Sequence, residues 1–227
     1  MDLAESSAEE ILRADLVMAI SNDYHDYVIK GGKFVGKFEE MYRVCADPWP
    51  ETEDDLNAMP CSVRTAQLIA ARKPAKVLSV GSGKGLHLNW LAGACPKTAF
   101  AGCEVSQTAV QESLKRYPHI PVTRLDAKDF AGRKWDFDLI LFREVVWYIL
   151  PHWDDICREL QSNYAGRQII TELSFYDRQE YGREYFDGPD EFVKKFPFEI
   201  IEILRHHTTG LQREGMVMVY GTIPAAK

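Results

Sequence analysis

From residue 76 to residue 222 the chain alternates short apolar runs with stretches whose apolar residues recur three and four positions apart, the pattern of strands joined by amphipathic helices. Lys76–Val80 reads as a strand running directly into a loop with glycine at 81, 83 and 85. Leu86–Ala94 continues as a helix that offers Leu88, Trp90 and Leu91 to a sheet. Residues 98–103 predict a second strand ending at Glu104, after which Ser106 stands as the N-cap of a helix over 107–117. Further strands are expected over 122–125, 137–142, 166–173, 200–206 and 216–222. Seven strands, the first five separated by helices, predict an α/β fold in three layers, because parallel strands need crossover helices that bury both faces of the sheet.

The N-terminal part follows a different pattern. Apolar residues at helical intervals predict a helix over 8–20, with Ser7 as N-cap and Glu10 three residues later completing a capping box. An aromatic and charged stretch around Tyr24, His25 and Tyr27 follows, then Gly31-Gly32, a short helical turn over 38–42, and Asp47-Pro48-Trp49-Pro50, whose prolines stop regular structure. A helix from Cys61 to about Arg72 ends at Lys73-Pro74, just before the first strand. The chain therefore divides into an N-terminal cap, 1–60, and a sheet-bearing domain, 61–227. The cap either faces a substrate as a lid or wraps the sheet for stability.

A strand, a glycine turn and a helix in that order build a binding edge: the glycines let a ligand approach the backbone, and the first N–H groups of the helix face it. Glu104 closes the second strand about twenty residues later, where an acid grips a ribose diol in dinucleotide sites. The glycine spacing separates the candidates. A dinucleotide fingerprint requires glycine where Leu86 stands, which disfavours a nicotinamide oxidoreductase, and a phosphate loop requires Gly-Lys-Ser/Thr, which is absent.

The spacing present, Ser79-x-Gly81-x-Gly83-x-Gly85, resembles the first motif of the class I methyltransferases that use S-adenosyl-L-methionine and release S-adenosyl-L-homocysteine. The resemblance extends over residues 64–220, with its motifs between Val77 and Val146. It implies a Rossmann-like sheet of order 3-2-1-4-5-7-6 with the last strand antiparallel. It also implies that Gly81, Ser82, Gly83 and Gly85 lie under the methyl donor, Glu104 and the adjoining Val105 at its ribose, and Asp126 and Ala127 at its adenine. Arg143 and Glu144, after the fourth strand, would stand beside the methyl group. The family usually carries an acid where this chain has Ser79, so Glu144 or a water would serve the methionine amino group, and a non-catalytic regulatory or scaffold protein that binds the same cofactor stays open as an alternative. Asp47-Pro48-Trp49 and the run from Phe142 to Tyr148 also resemble the nodulation-type small-molecule N-methyltransferases, which act on sugar-derived amines. This implies a small polar acceptor, a sugar or glycan precursor, with nitrogen and oxygen both open; Trp49 closes over the cofactor or pins the cap.

Composition adds exclusions. A net charge of −7 with no basic run argues against nucleic acid, since phosphate neutralisation needs clustered lysine and arginine. No apolar run approaches the roughly eighteen residues of a membrane span, and the first twenty residues carry acids rather than a basic leader, so a soluble, cytoplasmic protein is expected. Monomer and homodimer are both compatible with the composition. Five cysteines without paired spacing, and no His-Glu-x-x-His, predict no metal site; Cys103 and Cys157 read as core residues.

Methyl transfer is an in-line displacement, so the protein must align acceptor, methyl and sulfur and exclude water. A hydroxyl acceptor needs a base, and an amine needs its lone pair free at attack. The candidates are His152, a few residues past the fourth strand, and His25 in the cap, with Tyr24 and Glu144 around the acceptor. The loop over 176–185, with three tyrosines, is a further acceptor wall or simply a solvated surface, and His206 and His207 point to opposite faces of a strand.

Overall fold

The computed structural model describes residues 23–177, 179–207 and 215–226. The helix expected over 8–20 and Arg178 of the 176–185 loop lie outside these residues. A seven-stranded sheet carries the fold: β3 (Lys76–Val80), β4 (Ala99–Glu104), β5 (Val122–Arg124), β6 (Leu139–Arg143), β7 (Gln168–Phe175), β8 (Glu199–His206) and β9 (Gly215–Thr222). Its spatial order is β5-β4-β3-β6-β7-β9-β8, parallel through β7, with β9 antiparallel to both neighbours. Counted along this sheet alone, that is the expected 3-2-1-4-5-7-6.

The central strands are buried over nearly their whole length, as expected where helices cover both faces. One face packs under α6 (Val146–Asn163) and α7 (Pro189–Lys195), around Phe130, Phe142, Trp153, Ile156 and Phe192. The other packs under α3 (Pro60–Arg72), α4 (Leu86–Ala94) and α5 (Gln107–Arg116), around Leu68, Ile69, Leu88, Leu91 and Val110. Local chemistry sets the helix boundaries. α3 starts with proline in its first turn and stops at Lys73, whose backbone is left-handed (φ 54°), while Ser106 caps α5 by accepting from the Ala109 N–H.

Two strands start two residues later than expected, and the others lie within one. β7 runs on to Phe175 because β9 pairs with it over eight residues. β6 begins after Asp138, whose carboxylate accepts the N–H groups of Ala75 and Lys76 at the entrance to β3 (2.8 and 3.1 Å).

Before the sheet lie a small hairpin, β1 (Ile29–Lys30) and β2 (Lys33–Phe34), then α1 (Phe38–Val44) and α2 (Glu53–Ala58). The hairpin turn is Gly31-Gly32, both at positive φ (56° and 71°), the geometry a two-residue turn needs to match strand twist. Thr52 and Asp55 form a reciprocal capping box on α2.

Phe142 is fully buried at the centre of the sheet and meets Trp153 edge-to-face at 5.3 Å. Phe142→Ala is expected to lower unfolding free energy by about 3–5 kcal/mol, read as a lower urea midpoint at unchanged m-value.

Candidate active site

The order of the sheet reverses at β3, which has β4 on one side and β6 on the other, so the crevice for a ligand opens at the carboxyl ends of these strands. The loop after β3 is tied down there. The N–H groups of Gly81 and Ser82 both donate to the Cys103 carbonyl (2.8 and 3.0 Å), and the Gly83 N–H donates to Glu104 Oε2 at 2.9 Å. Glu104 Oε1 accepts the Ser106 N–H at 3.1 Å. Burial pushes the Glu104 carboxyl above its ordinary range, opposed by these backbone donors. Gly81 and Gly83 have φ of 70° and 54°, and a Cβ on Gly81 would lie 2.4 Å from Val145 Cγ2. A Cβ on Gly83 would lie 3.2 Å from the Tyr42 hydroxyl. Both glycines are thus demanded by backbone conformation, and the second faces the cap.

The cap lies directly on this edge. Tyr42, buried on α1, accepts the indole N–H of Trp49 at 2.9 Å. Lys84, from the glycine loop, donates to the Ala46 carbonyl at 2.6 Å and pairs with Glu112 at 2.9 Å. Glu39 sits at the start of α5, accepting from Ser106 Oγ (2.7 Å), Thr108 N (3.1 Å) and Thr108 Oγ1 (2.9 Å). Burial would raise the Glu39 carboxyl, but these donors, with Arg43, outweigh it and hold it down at about 2.

Beyond the glycine loop the cap forms an aromatic wall. Tyr24 packs on Trp49 (4.7 Å between centroids), Trp49 on Tyr148 (6.0 Å), Phe38 edge-on to Tyr148 (5.3 Å), and Phe34 on Tyr181 (5.7 Å). Glu144 stands at the foot of this wall, one turn before Tyr148. It is a non-glycine residue in left-handed backbone (φ 53°), and its carboxylate accepts from Ser174 Oγ at 2.6 Å and Ser174 N at 3.2 Å. Such strain persists only where neighbours hold it, and the two Ser174 donors do so here.

Arg143, one residue beyond the Val80–Phe142 pair, turns to the α3 and α4 side of the sheet. Its guanidinium donates to both oxygens of Glu51 (2.5 and 3.1 Å) and pairs with the fully buried Glu172 at 3.3 Å, whose other oxygen accepts from Thr65 Oγ1 at 2.5 Å. Burial opposes the charge on Arg143, but Glu172, Glu51 and Glu144 favour it and keep it raised. His87, in the first turn of α4, is 9 % exposed and stacks on Trp90 (5.8 Å); its Nε2 is buried without a hydrogen-bond partner among the described residues. Burial, then the positive charge of Arg143, hold His87 well below the ordinary histidine range, so it is neutral.

The remaining sequence candidates are dispersed. Asp126 caps its own 3-10 turn through the Lys128 N–H (3.2 Å) and pairs with Lys128, while Ala127 packs against the core. Val105 offers its carbonyl to Arg124 Nε at 3.3 Å. His25 lies on the rim, its ring 3.9 Å from that of Tyr24 and its Nδ1 2.8 Å from Asp23 Oδ1; the orienting partner is thus Asp23, while Tyr27 is buried in the cap core. His152 lies partly exposed in the second turn of α6, one turn beyond Tyr148. Of the late loop, Tyr181 reaches the wall while Tyr185 stays exposed. Two open clefts lie away from the glycine loop, one between α2 and α4 beside Asn57 and Trp90, the other beside Phe100, His119 and Pro121. All five cysteines are free and buried, and the described residues hold no cluster able to bind a metal. No helix among them is long and apolar enough to cross a membrane.

This arrangement, a glycine loop strapped to an acid at the reversal point of a 3-2-1-4-5-7-6 sheet, defines a Rossmann-like methyltransferase fold. Residues 77–164 match the family model for a methyltransferase domain. The N-methyltransferase NodS from Bradyrhizobium japonicum WM9, bound to S-adenosyl-L-homocysteine, superposes with a TM-score of 0.58 at 18 % identity, over 83 % of this chain and 97 % of that one. The methyltransferase domain of bacterial CtHen1 gives 0.57 at 15 % identity, over 74 % and 99 %. The [4+2]-cyclase SpnF gives 0.55 at 13 %, over 73 % and 82 %, so likeness of this order carries the architecture and not the reaction. A search of curated proteins by sequence finds no match. Residues 77–164 thus match a methyltransferase domain, and the fold around them is the one shared by these solved structures, in line with the class I resemblance read from the glycine loop.

Because Glu39 is held below its ordinary value of 4.5, its contribution to cap docking is present above that pH and is lost as pH falls toward about 2. Glu39→Gln should remove this dependence. Hydrogen exchange in α1, corrected for intrinsic rate, is expected to be faster in the variant at neutral pH and to converge with wild type in acid.

Proposed function

We propose that the chain transfers the methyl group of S-adenosylmethionine to a nitrogen or oxygen of a small polar acceptor, a sugar or glycan precursor, that enters beneath the cap. The observation that carries this reading is the pairing of a preformed glycine cradle with an aromatic wall at whose foot Glu144 is locked. The residues fit the cofactor: a side chain on Gly83 would fill the space that its absence leaves beside Tyr42. When bound, S-adenosylmethionine supplies a methyl group activated by a sulfonium, with a neutral thioether as leaving group. Gly81, Gly83 and Gly85 would lie under it, and Glu104 keeps lone pairs for the ribose hydroxyls beyond the two N–H groups it accepts. Asp126 and Ala127 would flank the adenine.

The wall supplies flat apolar faces suited to the C–H face of a sugar ring, and tyrosine hydroxyls suited to its polar edge. Burial holds Tyr42 and Tyr148 well above the ordinary tyrosine range, so they donate hydrogen bonds and do not act as bases. Of the two histidine candidates we assign the proton to His25, hydrogen-bonded to Asp23 and packed against Tyr24, with Glu144 and Tyr24 holding the acceptor in line. The N-methyltransferase activity named for NodS supports a nitrogen acceptor.

Calorimetric titration with S-adenosylhomocysteine tests the donor site. Wild type should bind, and Gly83→Val should abolish binding while circular dichroism stays native; a folded wild type that binds neither cofactor form would sink the proposal. Turnover against a panel of amino and hydroxyl sugars tests the base. Asp23→Asn and His25→Ala are expected to lower turnover about a hundredfold at unchanged S-adenosylhomocysteine affinity, and His152→Ala far less. The reverse ranking would move the role to His152.

A further inference from the structure

We propose that Arg143 and His87 form the receptor for the amino-acid end of the methyl donor, and that Glu51 holds the place of the donor's carboxylate and is displaced when the donor binds. The inference rests on the reading of S-adenosylmethionine as donor and adds which residues take its zwitterionic end.

Position comes first. Arg143 leaves β6 one residue beyond the Val80–Phe142 pair, so its base lies at the mouth of the glycine loop, where sheet order reverses. Its side chain turns to the side of the sheet that carries α3 and α4, and the buried His87, in the first turn of α4, lies close enough to feel its charge. A carboxylate entering here meets a guanidinium fork.

The two acidic partners of Arg143 differ in kind. Glu172 is fully buried in β7, directly across the ladder from Arg143, and is held by Thr65 as well, so it is part of the sheet. Glu51 comes from the irregular segment between α1 and α2, its side chain is 23 % exposed, and it takes the two terminal nitrogens of Arg143 end-on. With Nε facing Glu172, end-on contact with both terminal nitrogens is the geometry a free carboxylate would adopt on the same fork.

His87 supplies the independent observation. Its Nε2 is buried with no hydrogen-bond partner among the described residues, a cost that one hydrogen bond to a ligand would offset. Displacement also couples to the cap. Glu51 is two residues from Trp49, which is hydrogen-bonded to the Tyr42 that covers Gly83, so releasing one loosens the other.

The test compares S-adenosylhomocysteine with 5′-methylthioadenosine, which has the same nucleoside but no amino-acid end, by calorimetry on wild type, Glu51→Gln and Arg143→Lys. Glu51→Gln should bind S-adenosylhomocysteine about tenfold more tightly, and Arg143→Lys, which keeps the charge but loses the fork, about tenfold more weakly. Affinity for 5′-methylthioadenosine should be unchanged in both. An unchanged S-adenosylhomocysteine affinity in Glu51→Gln, or equal shifts for the two ligands in either variant, overturns the proposal. Glu51 is partly exposed, so its variant stays informative if Arg143→Lys is shown by thermal unfolding to be misfolded. Failure of folded wild type to bind either ligand overturns the donor reading itself, and this inference with it.

Discussion

The buried carboxylate of Glu104 sets the shape of the whole catalytic edge. Removing an ionisable group from water costs several kcal/mol unless donors replace the lost hydration, and here the replacements are two backbone N–H groups, from Gly83 and from Ser106. Because one donor belongs to the loop after β3 and the other to the start of α5, satisfying the acid fixes two adjacent segments at once. Ser106 in turn donates its hydroxyl to Glu39 of the cap, so a chain of hydrogen bonds runs from the sheet through the loop to the covering layer. The cradle is therefore formed before any ligand arrives, and binding need not order it.

A second set of buried acids governs the opposite side of the crevice. Glu172 in the middle of a buried strand demands a cation, and Arg143 answers it across the ladder. Glu144, next in the chain, is forced into left-handed backbone and turns instead to Ser174. Two consecutive residues thus serve opposite faces, Arg143 toward α3 and α4 and Glu144 toward the aromatic wall. The division separates the end that would hold the donor from the end that would hold the acceptor.

Much of this fold was legible in the chain because buried parallel strands are largely apolar and their crossovers amphipathic, so β3, β4, the helices after them and β5 could be placed within a residue or two; the helix expected between β5 and β6 is instead the 3-10 turn Ala127–Asp129. Glu104 and the Ser106 cap were legible for the same reason: each stands at a boundary where only a few residue types fit. Strand ends set by pairing partners distant in sequence, as in β7, were not. Nor was the cap's contact with the loop. Tyr42, Glu39 and Glu51 read as ordinary surface residues of short helices or linkers, and only their long-range partners Gly83, Ser106 and Arg143 give them meaning. A single signal was available, since an acid at 172 inside a buried strand announces a buried cation. His87 gave none, because one histidine in a helical pattern is usually surface or core.

The place of β9 has a consequence for synthesis. It is made after β8 yet lies between β8 and β7, so each of those strands faces an empty lane until it emerges. During translation the first five strands can assemble as a parallel half-sheet, but the β7 edge, with eight residues of unsatisfied backbone, stays sticky through the making of α7 and β8. The nascent chain is most exposed to mispairing in that interval, and β9, inserted last, acts as the keystone that removes the open edge.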